Sequence, residues 1–179
     1  PGSGKAVAEW MVLGESEIDL HASNIARFSE HQKLDSHVKA RCAEGFVKTY
    51  GIVHPNEQWS SNRNVRLSPF YEREKELGAV FYETAGWERP FWYESNAKLV
   101  EKFGARVMPR TAEWESRWWS PIINAEHLQM RETAGIVDLS AFAIFDVTGS
   151  GALALVQKVA LRQMDVAIGR VVYTPVLGV

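Results

Sequence analysis

The sequence predicts an α+β fold, in which helices and strands follow one another without regular alternation. Apolar residues recur at helical spacing in several stretches, and short runs rich in aromatic and β-branched residues are typical of strands. Glycine, proline, asparagine and serine mark loops between them. Apolar residues make up 46% of the chain and charged residues 23%, a balance that favours a folded globular protein over disorder.

The first third of the chain predicts two helices separated by a polar loop. The first helix opens in the glycine-containing residues 2–4 and ends before Gly14. Asp35 or Ser36 is predicted to cap the second helix, which ends before Gly51. Its predicted apolar face repeats every four residues and consists of Val38, Cys42, Phe46 and Tyr50.

The middle of the chain predicts a strand, a second aromatic run and a helix. Residues 80–84 predict the strand, and Gly86 breaks it. The aromatic run follows at residues 91–93. Residues 95–103 predict a short helix that ends at Gly104, because glycine commonly terminates helices.

The last third predicts two helices and two strands. Pro121 suits the first turn of a helix, where its missing N–H costs nothing. Residues 143–147 predict a strand and residues 148–151 a turn. A helix over residues 152–160 and a final strand over residues 170–176 complete the pattern.

Composition argues against several classes of protein. Net charge is −2, with 22 acidic and 20 basic residues, so we expect no nucleic-acid partner. The longest apolar runs, such as residues 152–156, are too short to span a bilayer, so we expect no membrane partner. Cys42 is the only cysteine, which rules out a disulfide within the chain and a cysteine-based zinc site. We therefore expect a reducing compartment, either bacterial cytoplasm or mitochondrial matrix.

The residues 2–5 (GSGK) resemble part of a phosphate-binding loop. That loop needs Ser or Thr after its lysine, and here Ala6 follows Lys5, which disfavours a nucleoside-triphosphate site. A glycine pair at a helix start still lets the backbone approach a flat or anionic ligand closely. The alternative is a simple turn before a helix, and spacing alone favours the turn.

Other candidate residues favour structural over catalytic roles. The five histidines lack the spacing of a metal site, so we expect no metal. The charge run at residues 72–76 predicts a solvent-exposed helical face. Five of the seven tryptophans crowd into one third of the chain, which indicates a ligand cage or, as the favoured alternative, a packed seam. These five are Trp87, Trp92, Trp114, Trp118 and Trp119.

Both ends of the chain are unusual for native termini. Pro1 is not preceded by an initiating Met, and residues 177–179 directly follow the last predicted strand. We expect both ends to be cuts and the chain to be an internal fragment of a longer protein.

Several stretches together resemble one family. Residues 2–10 (GSGKAVAEW) resemble the glycine turn and last flavin-domain helix of the dimethylglycine and sarcosine dehydrogenases. Residues 66–71 (RLSPFY) and 85–90 (AGWERP) resemble the central domain of the same enzymes. Residues 119–140, together with the VTG at 147–149 and the Tyr-Thr at 173–174, are similar to the opening of the glycine-cleavage T-protein, or aminomethyltransferase, fold.

The order of these stretches implies three domains and an enzyme with two sites. The resemblance implies a flavin-domain tail at residues 1–22, a central domain at 23–107 and the start of a T-protein-like domain at 108–179. The family implies an FAD-dependent oxidoreductase that demethylates an N-methyl amine and passes the one-carbon unit to tetrahydrofolate. Its implied partners are the small amine and an electron-transfer protein or oxygen.

The resemblance implies a cofactor contact for only a few residues of this chain. Gly2, Ser3 and Gly4 match the turn that approaches the flavin ring. Tyr173 matches a folate-contacting tyrosine, and Phe142 lies near a methionine that contacts folate in T-proteins. No catalytic residue carries over, because the T-protein acid falls beyond Val179 and the dinucleotide-binding glycine motif lies upstream. We therefore expect the chain alone to be inactive and to bind neither cofactor tightly.

Two other interpretations remain open. In the first, the chain is part of a folate-dependent aminomethyl or methyl transferase without redox activity, in which the front segment is a docking module. In the second, it belongs to a non-catalytic interaction protein that kept the scaffold. Neither the amine nor the electron acceptor follows from a fold.

Overall fold

A computed structural model describes residues 2–176 of the chain. The chain divides into two units, Pro1–Ala141 and Phe142–Val179. Among the described residues, the first unit contains six α-helices, several short 3-10 helices and a two-stranded sheet. The second unit contains one α-helix. This mixture agrees with the predicted α+β class.

Helix α1 spans Gly2–Leu13, as predicted. Gly14 ends it with a φ of +84°, a left-handed conformation that glycine adopts without strain. The N–H of Gly14 donates to the carbonyl of Trp10 at 3.1 Å, which satisfies one of the last carbonyls of the helix. Three short 3-10 helices follow, at His21–Ser23, Ile25–Arg27 and Glu30–Lys33.

Helix α2 spans Asp35–Tyr50 and ends at Gly51, as predicted. The predicted cap at Asp35 or Ser36 is wrong, because Leu34 occupies the capping position and no side chain caps the helix. Asp35 instead lies in the first turn, where its negative charge favours the helix dipole. Much of the predicted apolar face is exposed, including Phe46 and Tyr50.

Helix α3 spans Tyr71–Glu76 and leads into a hairpin of β1, Ala79–Thr84, and β2, Trp87–Tyr93. The strands are antiparallel, and Ala85 and Gly86 form the turn with φ angles of +51° and +85°. Positive φ at both central residues matches the twist that a two-residue hairpin needs. The pairing shifts between Val80, which faces Trp92, and Phe81, which faces Pro90. This bulge places Pro90 where the regular ladder is already interrupted.

The charge run at residues 72–76 is exposed except at one position. Glu74 is buried on α3, with 5% of its surface exposed, whereas its neighbours Glu72, Arg73 and Lys75 are exposed. The prediction of a fully solvated face is therefore wrong at Glu74. That carboxyl is turned towards Tyr93, whose hydroxyl donates to it.

The core of the first unit lies between α4, Lys98–Phe103, and α6, Pro121–Glu132. Gly104 ends α4 and Pro121 opens α6, as predicted. The Ser120 hydroxyl caps α6 by accepting the N–H of Ile122 at 3.2 Å. The buried apolar residues of this core are Phe103, Val107 and Ala125, with Leu99, Val100 and Leu128 packed against them.

The tryptophans of the first unit occupy separate environments. Trp92 is buried on β2. Trp114 lies on α5, Glu113–Trp118, and stacks on His54 with ring centroids 4.8 Å apart. Trp119 lies under the guanidinium of Arg110 and is more exposed. The contacts that these rings make are thus spread over the unit.

The second unit has one helix, α7, at Ala152–Val159, as predicted. The predicted strands at residues 143–147 and 170–176 are wrong, because these residues form no strand in the described part of the unit. A strand is stabilised only by hydrogen bonds to a neighbouring strand. The described residues provide one isolated bridge, between Ala160 and Val176.

Candidate functional site

The predicted flavin contacts lie at the start of α1. Gly2, Ser3 and Gly4 are exposed residues of its first turns. A Cβ atom added to Gly2 or Gly4 would meet no atom within 4 Å, so the space beside these glycines is open. The first turn of a helix has N–H groups without intrahelical partners, which suit an anionic or polar group. The three residues stay predicted cofactor contacts.

The predicted folate contacts both lie in the second unit. Phe142 precedes α7 and is 57% exposed, and Tyr173 follows it and is 89% exposed. Neither residue belongs to a helix or strand. Their role in binding folate stays a prediction.

A cavity of about 850 Å³ opens in the first unit between α2, the 3-10 helices before it and the hairpin turn. This volume lies in the range of small-molecule sites. The side chains that shape it are His31, His37, Val38, Arg41, Cys42 and Trp59. None of these was predicted as a site residue.

Two histidines and a glycine form one wall of this cavity. The rings of His31 and His37 meet edge to face, with centroids 5.4 Å apart. A Cβ atom at Gly86 would lie 3.0 Å from the His31 ring, so only glycine lets the hairpin turn approach this closely. Burial, followed by the nearby charge of Arg66, lowers the pKa of His31. Both effects favour the neutral form of the His31 imidazole.

An ion pair joins α2 to the hairpin at the same cavity. Arg41 donates from Nη2 to Glu83 at 3.0 Å, and its guanidinium lies 5.0 Å from the centre of the Trp59 ring. Glu83 also accepts the N–H of Gly86 at 2.6 Å. The Nε of Arg41 is shielded from solvent and has no hydrogen-bond partner among the described residues. The cavity wall thus holds one polar donor whose hydrogen bond is not made.

Glu44 on α2 fixes the loop that carries Trp59. Its two carboxylate oxygens accept the N–H groups of Ser60 and Ser61 at 2.7 and 2.8 Å and the Ser61 hydroxyl. Burial raises the pKa of Glu44, but hydrogen bonds from Ser61 and Ser60 outweigh it and lower the pKa to about 2. A second contact links α2 to this loop, because Nζ of Lys48 forms an ion pair with Oε1 of Glu57 at 2.6 Å.

An ion pair between Arg63 and the buried Glu88 links the hairpin to the loop before α3. Glu88 on β2 is 2% exposed and accepts from Nε of Arg63 at 2.8 Å and from the N–H of Asn64 at 2.7 Å. Burial raises the pKa of Glu88, but the bonds from Arg63 and Asn64 outweigh it and hold the pKa below its ordinary value. Arg63 also donates to the carbonyl of Phe81, so one guanidinium spans both strands.

A second, smaller cavity of about 340 Å³ lies between β2, α4, α6 and residues 134–138. Glu126 of α6 lies on its wall and accepts the N–H of Tyr93 at 2.9 Å and the side-chain amide of Asn96 at 2.8 Å. Burial raises the pKa of Glu126 in spite of these bonds. Glu126 therefore anchors α6 to the end of β2, which is a structural role.

The described residues do not form a metal centre. Within residues 2–176, no group of three or more His, Cys, Asp or Glu side chains is placed to hold a metal ion. Among the same residues, no helix is both long and apolar enough to cross a bilayer. The first cavity offers apolar side chains, two imidazoles and the unpaired Nε of Arg41 for binding a ligand.

Sequence reasoning missed the residues of both anchoring networks. Arg41 and Glu83, like Arg63 and Glu88, are far apart in the sequence and carry no spacing signal. The one local hint is the pair Ala85-Gly86 between two strand-like runs, which predicts a tight turn.

Two family models match the chain in succession. The FAD dependent oxidoreductase central domain matches residues 13–68, and the GCVT N-terminal domain matches residues 70–178. The second match covers more than half of the chain. The chain therefore belongs to the GCVT N-terminal domain family, with an FAD-dependent oxidoreductase central domain before it. The predicted resemblance to the sarcosine and dimethylglycine dehydrogenases is confirmed.

Several relatives match the chain over nearly its whole length. The 4-methylaminobutanoate oxidase (formaldehyde-forming) of Paenarthrobacter nicotinovorans is 37% identical over 97% of the chain. The mitochondrial sarcosine dehydrogenase of Homo sapiens is 30% identical over 99% of it. The mitochondrial pyruvate dehydrogenase phosphatase regulatory subunit of Mus musculus is 28% identical over 99%. The chain spans only 20–21% of the length of these relatives.

Proposed function

We propose that the chain is part of a flavin-dependent oxidoreductase that demethylates an N-methyl amine and passes the one-carbon unit to tetrahydrofolate. The observation that carries this proposal is the order of the two matched domains, central oxidoreductase domain first and GCVT domain second. Relatives named as a methylaminobutanoate oxidase and a sarcosine dehydrogenase support an N-methyl amine as substrate.

The start of α1 is proposed to contact FAD. The open space at Gly2 and Gly4 fits a flat group approaching the backbone, and the first N–H groups of a helix have no intrahelical partner. FAD, when bound, supplies the redox chemistry by accepting a hydride equivalent from the amine. The role of Gly2, Ser3 and Gly4 is to let the ring approach and to orient it.

The second unit is proposed to contact tetrahydrofolate. The exposed rings of Tyr173 and Phe142 fit a role in packing against a pterin, because both present apolar faces to solvent. The domain bounds 1–22, 23–107 and 108–179 belong to the same proposal. The two family matches meet between residues 68 and 70, earlier in the chain than the proposed junction at 107–108.

Two measurements on the full-length protein that contains this chain test the proposal. Visible flavin absorbance, and its bleaching by sarcosine, dimethylglycine or 4-methylaminobutanoate without oxygen, test the redox half. Formaldehyde release that falls when tetrahydrofolate is added tests the one-carbon half. Protein without flavin, or flavin that none of the amines reduces, would overturn the proposal.

Single substitutions test the predicted contacts to flavin and to tetrahydrofolate. Gly4→Leu should lower the flavin content, whereas Ala8→Leu, at an exposed position of the same helix, should leave it unchanged. Tyr173→Ala should weaken the effect of tetrahydrofolate on formaldehyde release. Tyr50→Ala, at a similarly exposed tyrosine of the first unit, is its control.

A transferase without redox activity is the second candidate. The GCVT match extends over residues 70–178, the larger part of the chain, and favours it. Folate-dependent transfer by a protein without flavin would support this candidate. A protein that shows neither activity would support a regulatory role, for which the relative named as a phosphatase regulatory subunit offers a precedent.

A further inference from the structure

Glu74 is a buried carboxyl group with one oxygen lacking a donor. It lies on α3, and its Oε1 accepts the hydroxyl of Tyr93 at 3.2 Å. Its Oε2 is shielded from solvent and receives no hydrogen bond from an N–H or O–H group among the described residues. A buried carboxylate oxygen without a donor is costly, so this arrangement calls for an explanation.

The Asp138 carboxyl lies within hydrogen-bond reach of the Glu74 carboxyl and is well supplied with donors. Its Oδ1 accepts the N–H of Ser140 at 2.9 Å and the Ser140 hydroxyl at 2.6 Å. The hydroxyl of Ser68 donates to the same carboxylate. Burial raises the pKa of Asp138, but these bonds outweigh it and hold the pKa below its ordinary value. Asp138 is therefore the ionised member of the two.

We propose that Glu74 and Asp138 form a proton-binding site, in which Glu74 carries the proton on Oε2 and donates it to the Asp138 carboxylate. A proton there turns the unpaired oxygen into a donor and removes the repulsion between the buried carboxylate of Glu74 and the half-buried carboxylate of Asp138. Burial, followed by the charge of Asp138, raises the pKa of Glu74, in agreement with this geometry.

A proton fits the site better than a metal ion. A calcium ion takes six to eight oxygen ligands, roughly, and magnesium requires near-octahedral geometry. Here the Tyr93 hydroxyl donates its hydrogen to Glu74, and Oδ1 of Asp138 is already occupied by two donors. The pair therefore offers fewer free oxygens than a metal ion needs, and the described residues bring no third carboxylate, histidine or cysteine to it.

The charged and titratable groups around Glu74 and Asp138 favour a proton on Glu74 and a negative charge on Asp138. From β2, Tyr93 faces Glu74 and the charge of Arg89 stabilises ionised Asp138. Burial and Glu74 raise the pKa of Tyr93, with a smaller contribution from Glu126 of α6, so Tyr93 stays a hydroxyl donor. The exposed charges of α3 itself point to solvent. The shared proton thus joins α3 to the segment that follows α6.

Carbon-13 NMR of glutamate side-chain carboxyls in the 179-residue chain tests the proposal directly. Glu74→Gln and Glu72→Gln assign the two resonances, and Glu72 is the exposed control on the same helix. The titration midpoint of the Glu74 carboxyl should lie above the ordinary glutamate value of 4.5. Asp138→Asn should move that midpoint down. A Glu74 midpoint at the ordinary value, or no response to Asp138→Asn, would overturn the proposal.

Thermal unfolding gives a second test that does not need assignments. A carboxyl whose folded pKa exceeds its unfolded pKa stabilises the fold at low pH, and this contribution is lost as pH rises from about 4.5 through the folded pKa. The melting temperature of wild type should therefore fall relative to that of Glu74→Gln over this range, and Glu72→Gln should follow wild type. Parallel curves for wild type and Glu74→Gln would overturn the proposal. A calcium-induced rise in melting temperature that Glu74→Gln abolishes would also overturn it, because it would identify a metal site.

Discussion

The hairpin region and the second unit hold apolar residues in similar abundance but order them differently. Around β1 and β2, charged side chains distant in sequence fix the backbone: Arg41 to Glu83 and Arg63 to Glu88. In residues 142–176 no described residue is buried, and Ile144, Phe145 and Val171 are almost fully exposed. Apolar content by itself therefore does not order a segment.

The difference follows from where each element finds its hydrogen bonds. Helix α7 forms because its bonds lie within the segment. Residues 143–147 and 170–176 need neighbouring strands, and the described residues supply one bridge. The hairpin has both its partner strand and two ion pairs, of which the one between Arg41 and Glu83 links it to α2.

Breaking the ion pair between Arg63 and Glu88 should have the largest effect on stability. Arg63→Met leaves Glu88 ionised and unpaired inside the protein, which should lower the free energy of unfolding by about 3 kcal/mol. Urea unfolding followed by circular dichroism measures the loss. Arg63→Met combined with Glu88→Leu should recover part of it, because no buried charge is then left. A loss below about 0.5 kcal/mol in the single variant would show that the pair contributes little.

Closing the gap between the hairpin turn and His31 should cost less. Gly86→Ala combines a left-handed φ with a Cβ atom 3.0 Å from the His31 ring, and should cost about 1–3 kcal/mol. Gly14→Ala is the matched control, since Gly14 has nearly the same φ of +84° but open space around it. Equal losses in the two variants would mean that the approach of His31 adds nothing.

Acid should weaken the loop anchor in a defined pH range. Because the pKa of Glu44 is about 2 in the folded chain and 4.5 ordinarily, its stabilisation is complete above the ordinary value and is lost as pH falls from 4.5 to about 2. Glu44→Gln should therefore show a smaller loss of melting temperature over this range than wild type. Glu30→Gln, at an exposed residue, should behave like wild type. Indistinguishable acid profiles for Glu44→Gln and wild type would contradict this interpretation.

The smallest effect is expected in the second unit. Tyr173→Ala should change the free energy of unfolding by less than about 0.5 kcal/mol, because the ring is 89% exposed. Urea unfolding again supplies the measurement, and Trp92→Ala, at a buried ring, is the contrasting variant. A Tyr173→Ala loss comparable to that of Trp92→Ala would show that the second unit is packed more tightly than its exposure indicates.

Most helices could be predicted from the sequence because their signals are local. Gly14, Gly51 and Gly104 end α1, α2 and α4 where predicted, and Pro121 opens α6. The cap of α2 was missed because Leu34 has no side chain able to cap a helix. The two strands predicted in the second unit failed because strand formation depends on partners that a local pattern does not reveal.

The site could be predicted much less completely than the fold. Gly2, Ser3, Gly4, Phe142 and Tyr173 came from family resemblance and stay predictions. The first cavity depends on Arg41 meeting Glu83 and on His31 meeting Gly86, contacts that only the folded chain creates. The burial of Glu74 was hidden by the charges on either side of it, which favoured an exposed helix.

The contact between Glu44 and its loop also affects how that part of the chain moves. The amides of Ser60 and Ser61 belong to no helix or strand, yet both donate to a carboxylate that α2 holds in place. Amide hydrogens bonded in this way exchange with solvent only when the bond opens. These two loop amides should consequently exchange on the timescale of α2 and not on that of a free loop, so an irregular backbone can share the lifetime of its neighbouring helix.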